Sequence, residues 1–194
     1  MRLKFKKRSA YIIAEIGNNH EGSISRAKKM IELASKTGVD AVKFQTFKTR
    51  GFISNKATKK SLILKKFQLS QSNFRELKSY AHKHKLNFIS TPLDLDSAYF
   101  LGKISDAIKI SSGDNNYLKI IEIALSFNKN VIISTGLLNF KEANKLIEKI
   151  TNKFKNKKKL IFLHCVSSYP VNYKNANLKR ISKFKEKWKN IKFG

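Results

Sequence analysis

Apolar and polar positions along the chain follow two alternating rhythms. Short, nearly continuous apolar runs occur at Tyr11–Ile16, Ala41–Gln45, Asn87–Ser90, Ala107–Ile110, Val131–Ser134 and Leu160–Leu163. Runs of this kind, closed by turn residues, predict strands buried on both faces. Between them the apolar positions recur at helical spacing: Ile24, Ala27, Ile31 and Ala34; Phe74, Leu77 and Ala81; Leu95, Ala98 and Leu101; Ala143, Leu146, Ile147 and Ile150. Each set places one apolar stripe on one helix face.

The predicted helix ends carry their own signals. Ser23 and Asp94 are good N-caps, Asn139 and Glu142 have capping-box spacing, and Gly38 stops the first helix. Helices are also predicted near Asn73–His84, Tyr117–Phe127 and Asn177–Trp188. Thr46 to Ser70 is polar and basic, with an apolar patch at Leu62-Ile63-Leu64, and reads as a long loop with a helical turn. Ile191 to Gly194 opens a seventh strand.

Strands separated by helices of this size predict βαβ units on a parallel sheet. Two architectures satisfy the pattern, a doubly wound sheet and a (β/α)8 TIM-type barrel. The turn after the first strand, Gly17-Asn18-Asn19-His20-Glu21-Gly22, lacks the G-x-G-x-x-G spacing of dinucleotide folds. The barrel is therefore favoured, as an incomplete one of about six βα units ending at the start of strand seven.

Composition changes the picture in two places. Lys and Arg number 41 against 13 Asp and Glu, a net charge of +28, which suggests nucleic acid. The lysines are spread along the whole chain, as at Lys28-Lys29, Lys59-Lys60, Lys65-Lys66 and Lys157 to Lys159, and arginine is scarce. Bidentate base and phosphate contacts prefer arginine, so specific nucleic-acid binding is not expected, only general attraction to polyanions. Cys165 is the single cysteine, so no internal disulfide forms and a reducing compartment is expected. The basic stretch Met1 to Arg8 lacks a following signal-peptide pattern, and no apolar run is long enough to span a bilayer. The expectation is a cytoplasmic protein without a membrane partner.

In parallel α/β folds chemistry gathers at the carboxyl ends of strands. Those ends carry Glu15, Lys43 and Gln45, Thr91, Lys109 with Ser111 and Ser112, Ser134 and Thr135, and His164 with Ser167. Serine and threonine there are often plain turn residues. Lys43 and Lys109 are different, because each lies in an apolar strand where an unpaired ammonium is costly. Each needs an anion, either a protein carboxylate such as Glu15 or a ligand. Two such lysines with nearby hydroxyls describe a site for a phosphorylated carboxylate.

Several segments in order resemble the sialic acid synthase family, whose members make N-acetylneuraminate, legionaminate and pseudaminate. They are Ala14 to Ser23, Val42 to Phe47, Phe88 to Pro92, Lys109 to Asp114, Ile133 to Gly136 and His164 to Pro170. The resemblance implies a barrel enzyme condensing phosphoenolpyruvate with an N-acyl-mannosamine-type amino sugar to give a nonulosonic acid and phosphate. It implies that Lys43, Thr91, Lys109, Ser112 and Ser134 hold phosphoenolpyruvate, with Glu15, Lys43 and Lys109 as the catalytic residues. Glu15, Asp114 and Tyr169 would face the sugar. Ser167 stands where some members have Asn.

The resemblance also implies a divalent metal, Mn2+ or Mg2+, and a homodimer. Its metal ligands, a Ser-Asp-His-Thr turn on strand seven and a histidine on strand eight, have no counterpart among His20, His82, His84 and His164. They are expected beyond Gly194, as is the small antifreeze-like C-terminal domain. His82 and His84, on a lysine-rich helix, are expected to face solvent, and His164 to line the pocket. Residues 1–194 are thus expected to form the N-terminal portion of the barrel. The alternatives are a non-catalytic truncated fragment, a basic polyanion-binding protein, or another phosphoenolpyruvate–aldose synthase on the same fold.

Overall fold

The computed structural model describes Leu3 and residues 10–54, 58–154 and 156–194. The chain divides into two compact units, Met1–Ile108 and Lys109–Gly194.

The first unit contains β1 (Ile13–Gly17), α1 (Ile24–Ser35), β2 (Ala41–Thr46), α2 (Thr49–Phe52), α3 (Thr58–Phe67), α4 (Gln71–Lys83), β3 (Asn87–Pro92), α5 (Leu95–Ile104) and the first half of β4 (Ala107–Ile110). Neighbouring strands are parallel and follow chain order, with Ile13 opposite Ala41, Ala41 opposite Asn87, and Ile89 opposite Ala107. All six residues of β3 are buried, as its apolar run and two-faced covering require. Phe44 and Phe88 stack at 5.6 Å in the core, against Ala27 and Ile31 of α1, Phe74, Leu77 and Ala81 of α4, and Leu101 of α5. The predicted stripes on these helices are therefore the packed faces.

The predicted caps are made. Ser23 Oγ accepts from Arg26 N at 3.2 Å, and Asp94 Oδ1 accepts from Ser97 N at 2.8 Å. In the second unit Asn139 and Glu142 close their capping box at 2.9 and 2.8 Å.

The second unit completes β4 and adds α6 (Leu118–Ser126), β5 (Asn130–Ser134), α7 (Phe140–Lys153), β6 (Leu160–Leu163), α8 (Lys179–Lys187) and β7 (Lys192–Phe193). β5 pairs in parallel with β6, Val131 opposite Leu160, and β6 with β7, Ile161 opposite Lys192. Gly194 prolongs that last pairing, donating to Phe162 O and accepting from His164 N. Phe184 of α8 is buried between Phe140 at 4.9 Å and Phe193 at 5.5 Å, which docks this basic helix by one aromatic column.

The structure departs from the sequence reading between Thr46 and Ser70. In place of a loop with one turn it has α2 and the ten-residue α3, with residues 55–57 outside the described set. The reason is that α3 owes its form to propensity rather than to an apolar stripe: Lys and Leu are good helix formers, and Leu62 and Ile63 remain exposed. The end of α3 is nevertheless anchored. A Cβ on Gly22 would lie 2.1 Å from the Lys66 carbonyl oxygen, so the turn after β1 packs directly on α3 backbone, and Gly22 also has φ +81°.

Candidate functional site

Two lysine centres form at strand ends, one in each unit. In the first, Glu15 of β1 and Lys43 of β2 are register partners, and the Lys43 ammonium pairs with the Glu15 carboxylate. The Lys43 side chain is 13% exposed and that of Glu15 52%. Lys43 Nζ also donates to Thr91 Oγ1 at 3.5 Å. Three of the residues singled out from sequence thus come together. The anion that Lys43 requires is supplied by the protein, and because the carboxylate is half open to water an incoming anion can compete for the ammonium.

The turn after β1 lies beside this centre. Asn18 Nδ2 donates to Gln45 Oε1 at 2.6 Å. His20 is buried, its Nδ1 accepts from Gly22 N at 3.0 Å, and its ring lies 6.0 Å from that of Phe44. An accepting Nδ1 assigns the proton of the neutral ring to Nε2, which has no hydrogen-bond partner among the described residues. Burial, reinforced by the Arg26 charge, holds the His20 pKa below its usual value.

In the second centre Lys109 is 7% exposed, and its Nζ donates to Ser134 Oγ and to Ile110 O, each at 2.6 Å. Cys165 Sγ donates to the same Ser134 oxygen at 3.2 Å. A hydroxyl has two acceptor positions and one proton. With both positions taken, Ser134 is left with its O–H to give to a ligand.

Ser112 opens a short 3-10 turn after β4, and Ser111 Oγ donates to the Asp114 carboxylate within it. Gly136 follows β5. A Cβ there would lie 2.5 Å from Ser112 Oγ and 2.7 Å from Ser167 Oγ. Two hydroxyls therefore close on the bare face of one glycine, and any other residue at 136 would displace them. Thr135 ties the strand end to β6, with its N and Oγ1 both donating to Leu163 O, at 2.9 and 3.0 Å. Lys109, Ser134, Ser112 and Ser167 are thus all placed at the strand ends of this unit. Tyr169, by contrast, is 97% exposed.

The histidines differ from expectation. His82 is partly buried, with Nε2 2.7 Å from Asp106 Oδ2, an oxygen that also accepts from Phe88 N at 2.7 Å. Burial pushes the Asp106 pKa up, but the bonds from Phe88 N–H and His82 outweigh it and leave the carboxyl below its usual value. His84 packs on the Tyr80 ring at 4.7 Å. The His164 ring is engaged with the chain itself, Nε2 lying 2.8 Å from Ala176 O. Lysine-rich surroundings gave no hint of the bonds made by His82 and His164, which join residues 24 and 12 positions apart. Asn115 and Cys165 also reach the second centre, through Ser134 and Gly136, and neither was singled out from sequence as a site residue.

Among the described residues no group of three His, Cys, Asp or Glu could hold a metal ion. None of their helices is long and apolar enough to cross a membrane.

A model of the NeuB family matches residues 30–194. The chain is 35% identical over 192 residues to the N,N'-diacetyllegionaminic acid synthase of Campylobacter jejuni, covering 92% of this chain and 58% of that protein. It is 35% identical over 199 residues to the N-acetylneuraminate-9-phosphate synthase of Drosophila melanogaster, covering 96% of this chain and 53% of that one. The chain thus spans about half the length of the curated relatives it matches. The crystal structure of N-acetylneuraminic acid (sialic acid) synthetase from Leptospira borgpetersenii, in complex with citrate, superposes with a TM-score of 0.86 at 30% identity. It covers 96% of this chain and 64% of that one. The α/β fold of TIM-barrel type read from the strand and helix rhythm is borne out by this likeness.

Proposed function

Because the chain belongs to the NeuB family, we propose that it binds phosphoenolpyruvate for condensation with an N-acyl-mannosamine-type sugar, as part of a nonulosonic-acid synthase. The observation that carries this reading is the second centre. A buried ammonium on Ser134, a hydroxyl proton left to donate, and two further hydroxyls at Gly136 suit an anion rich in oxygen acceptors. Curated relatives named as legionaminic acid and N-acetylneuraminate-9-phosphate synthases support the product class.

In the proposed reaction C3 of phosphoenolpyruvate forms a carbon–carbon bond to the sugar aldehyde. Water adds at C2, and the C2–O bond to phosphate breaks, so one molecule each of acid and phosphate leaves. Lys109 offsets negative charge, and Ser134, Ser112 and Ser167 orient the oxygens that carry it. Lys43 and Thr91 supply the same chemistry in the first unit, and Glu15 positions or protonates the alkoxide that forms from the aldehyde. Asp114 and Tyr169 are assigned to the sugar.

The divalent metal implied by the resemblance does not fit the donors present, since the described residues bring no three candidate ligands together. No step is routed through it.

Calorimetric titration of the chain with phosphoenolpyruvate tests the binding, and inorganic phosphate release with N-acetylmannosamine or its N-acyl relatives tests the reaction. Saturable binding that persists at moderate salt is expected. Heat that vanishes at moderate salt would reduce the interaction to general attraction of a basic protein and sink the proposal.

A further inference from the structure

Asn115 closes the 3-10 turn that carries Ser112, and it is buried at 4% exposure. Its Nδ2 donates to Gly136 O at 2.9 Å and to Ser134 O at 3.3 Å. One uncharged amide therefore bridges the two carbonyls on either side of Thr135. A planar NH2 with two protons is suited to this, whereas a carboxylate or a hydroxyl is not.

The bridge joins the loop after β4 to the loop after β5, and both carry the candidate anion site. Ser134 must present its Oγ to Lys109 and Cys165, and Gly136 must keep its bare face against Ser112 and Ser167. With those hydroxyls 2.5 and 2.7 Å from where a Cβ would stand, a shift of a few tenths of an ångström separates or crowds them.

We propose that Asn115 is a positioning residue for anion recognition, acting through Ser134 and Gly136 without touching the ligand. The identity of the ligand rests on the phosphoenolpyruvate reading; the tie between the loops does not. Cys165 reports on the tie independently, being the only cysteine and hydrogen-bonded to Ser134.

The experiment compares wild type, Asn115→Ala, Asn115→Asp and the milder Asn115→Ser, which keeps one donor. Phosphoenolpyruvate affinity, the rate of Cys165 alkylation by iodoacetamide and the thermal midpoint are read at a temperature where all variants are folded. Loss of this contact is expected to weaken affinity by about tenfold in Asn115→Ala and more in Asn115→Asp. Alkylation should accelerate by about the same factor, with Asn115→Ser between. A lower thermal midpoint with unchanged affinity and alkylation overturns the proposal, leaving Asn115 a structural residue. Weaker binding without faster alkylation also overturns it, since Ser134 would not have moved. If wild type takes up no phosphoenolpyruvate, the functional reading falls and alkylation alone decides: acceleration upholds the tie, and an unchanged rate refutes it.

Discussion

Two lysines in comparable strands are stabilised differently. Lys43 lies beside a carboxylate that is half open to water. Lys109, more deeply buried, grips a hydroxyl and a backbone carbonyl, both neutral. An ammonium facing a carboxylate has its charge largely answered, and a ligand must displace or share that partner. In a low-dielectric site an ammonium acts strongly on an arriving anion. On the proposed reading, an arriving anion meets Lys109 and Ser134 in the second unit, whereas at Lys43 it has to compete with Glu15.

The largest expected effect comes from removing the second ammonium. Lys109→Met keeps most of the side-chain volume and loses charge-assisted hydrogen bonds worth about 1.5–3 kcal/mol, so phosphoenolpyruvate affinity should fall by about 10- to 100-fold. Equal losses for Lys109→Met and Lys43→Met in calorimetry would erase the distinction drawn here. Next is Gly136→Ala, whose methyl would collide with Ser112 and Ser167. Overpacking of this kind costs about 1–3 kcal/mol, and the loss should appear in both denaturation midpoint and anion affinity. A variant with wild-type affinity would show that the two hydroxyls are not recognition groups.

A smaller effect is expected at the first centre. Glu15→Gln leaves a hydrogen-bonding side chain beside Lys43 and removes a partly exposed ion pair, so stability should change by less than about 1 kcal/mol. Affinity for phosphoenolpyruvate should hold or rise, because the competing carboxylate is gone. A clear drop in affinity would instead make Glu15 part of the anion site.

The smallest effect is in the pH dependence of the first unit. Burial lowers the pKa of His20 in the folded state, so on acidification the unfolded chain takes up that proton first, below about pH 6.5. The contribution is full above that value and is lost as pH falls towards the depressed folded pKa. Denaturation midpoints should therefore decline from about pH 6.5 downward, and His20→Phe should flatten that slope. An unchanged slope in the variant would show that His20 does not titrate with folding.

Much of the fold was legible because its signals are local. Ser23, Asp94 and the Asn139–Glu142 pair cap the helices they were assigned, and Ala27, Ile31, Phe74, Leu77 and Ala81 are buried as their spacing required. α3 was misread because a lysine-rich helix with exposed Leu62 and Ile63 leaves no stripe to find. At the site, the lysines could be singled out as charges in apolar strands, but not their partners. Whether Lys43 met Glu15 or a ligand depended on register across β1 and β2.

The sequence by itself determined the order of βα units, the helix starts and the residue types at the strand ends, because capping and periodicity act over a few residues. Only the tertiary structure decided that Glu15 answers Lys43, that Cys165 and Lys109 share Ser134, that His82 reaches Asp106, and that Asn115 ties two loops. Each of these contacts joins residues 19 or more positions apart, with separations of 31 for Cys165–Ser134 and 21 for Asn115–Gly136. A hydrogen bond is decided within a few tenths of an ångström, and across such spans that geometry is set by how strands pair and helices pack.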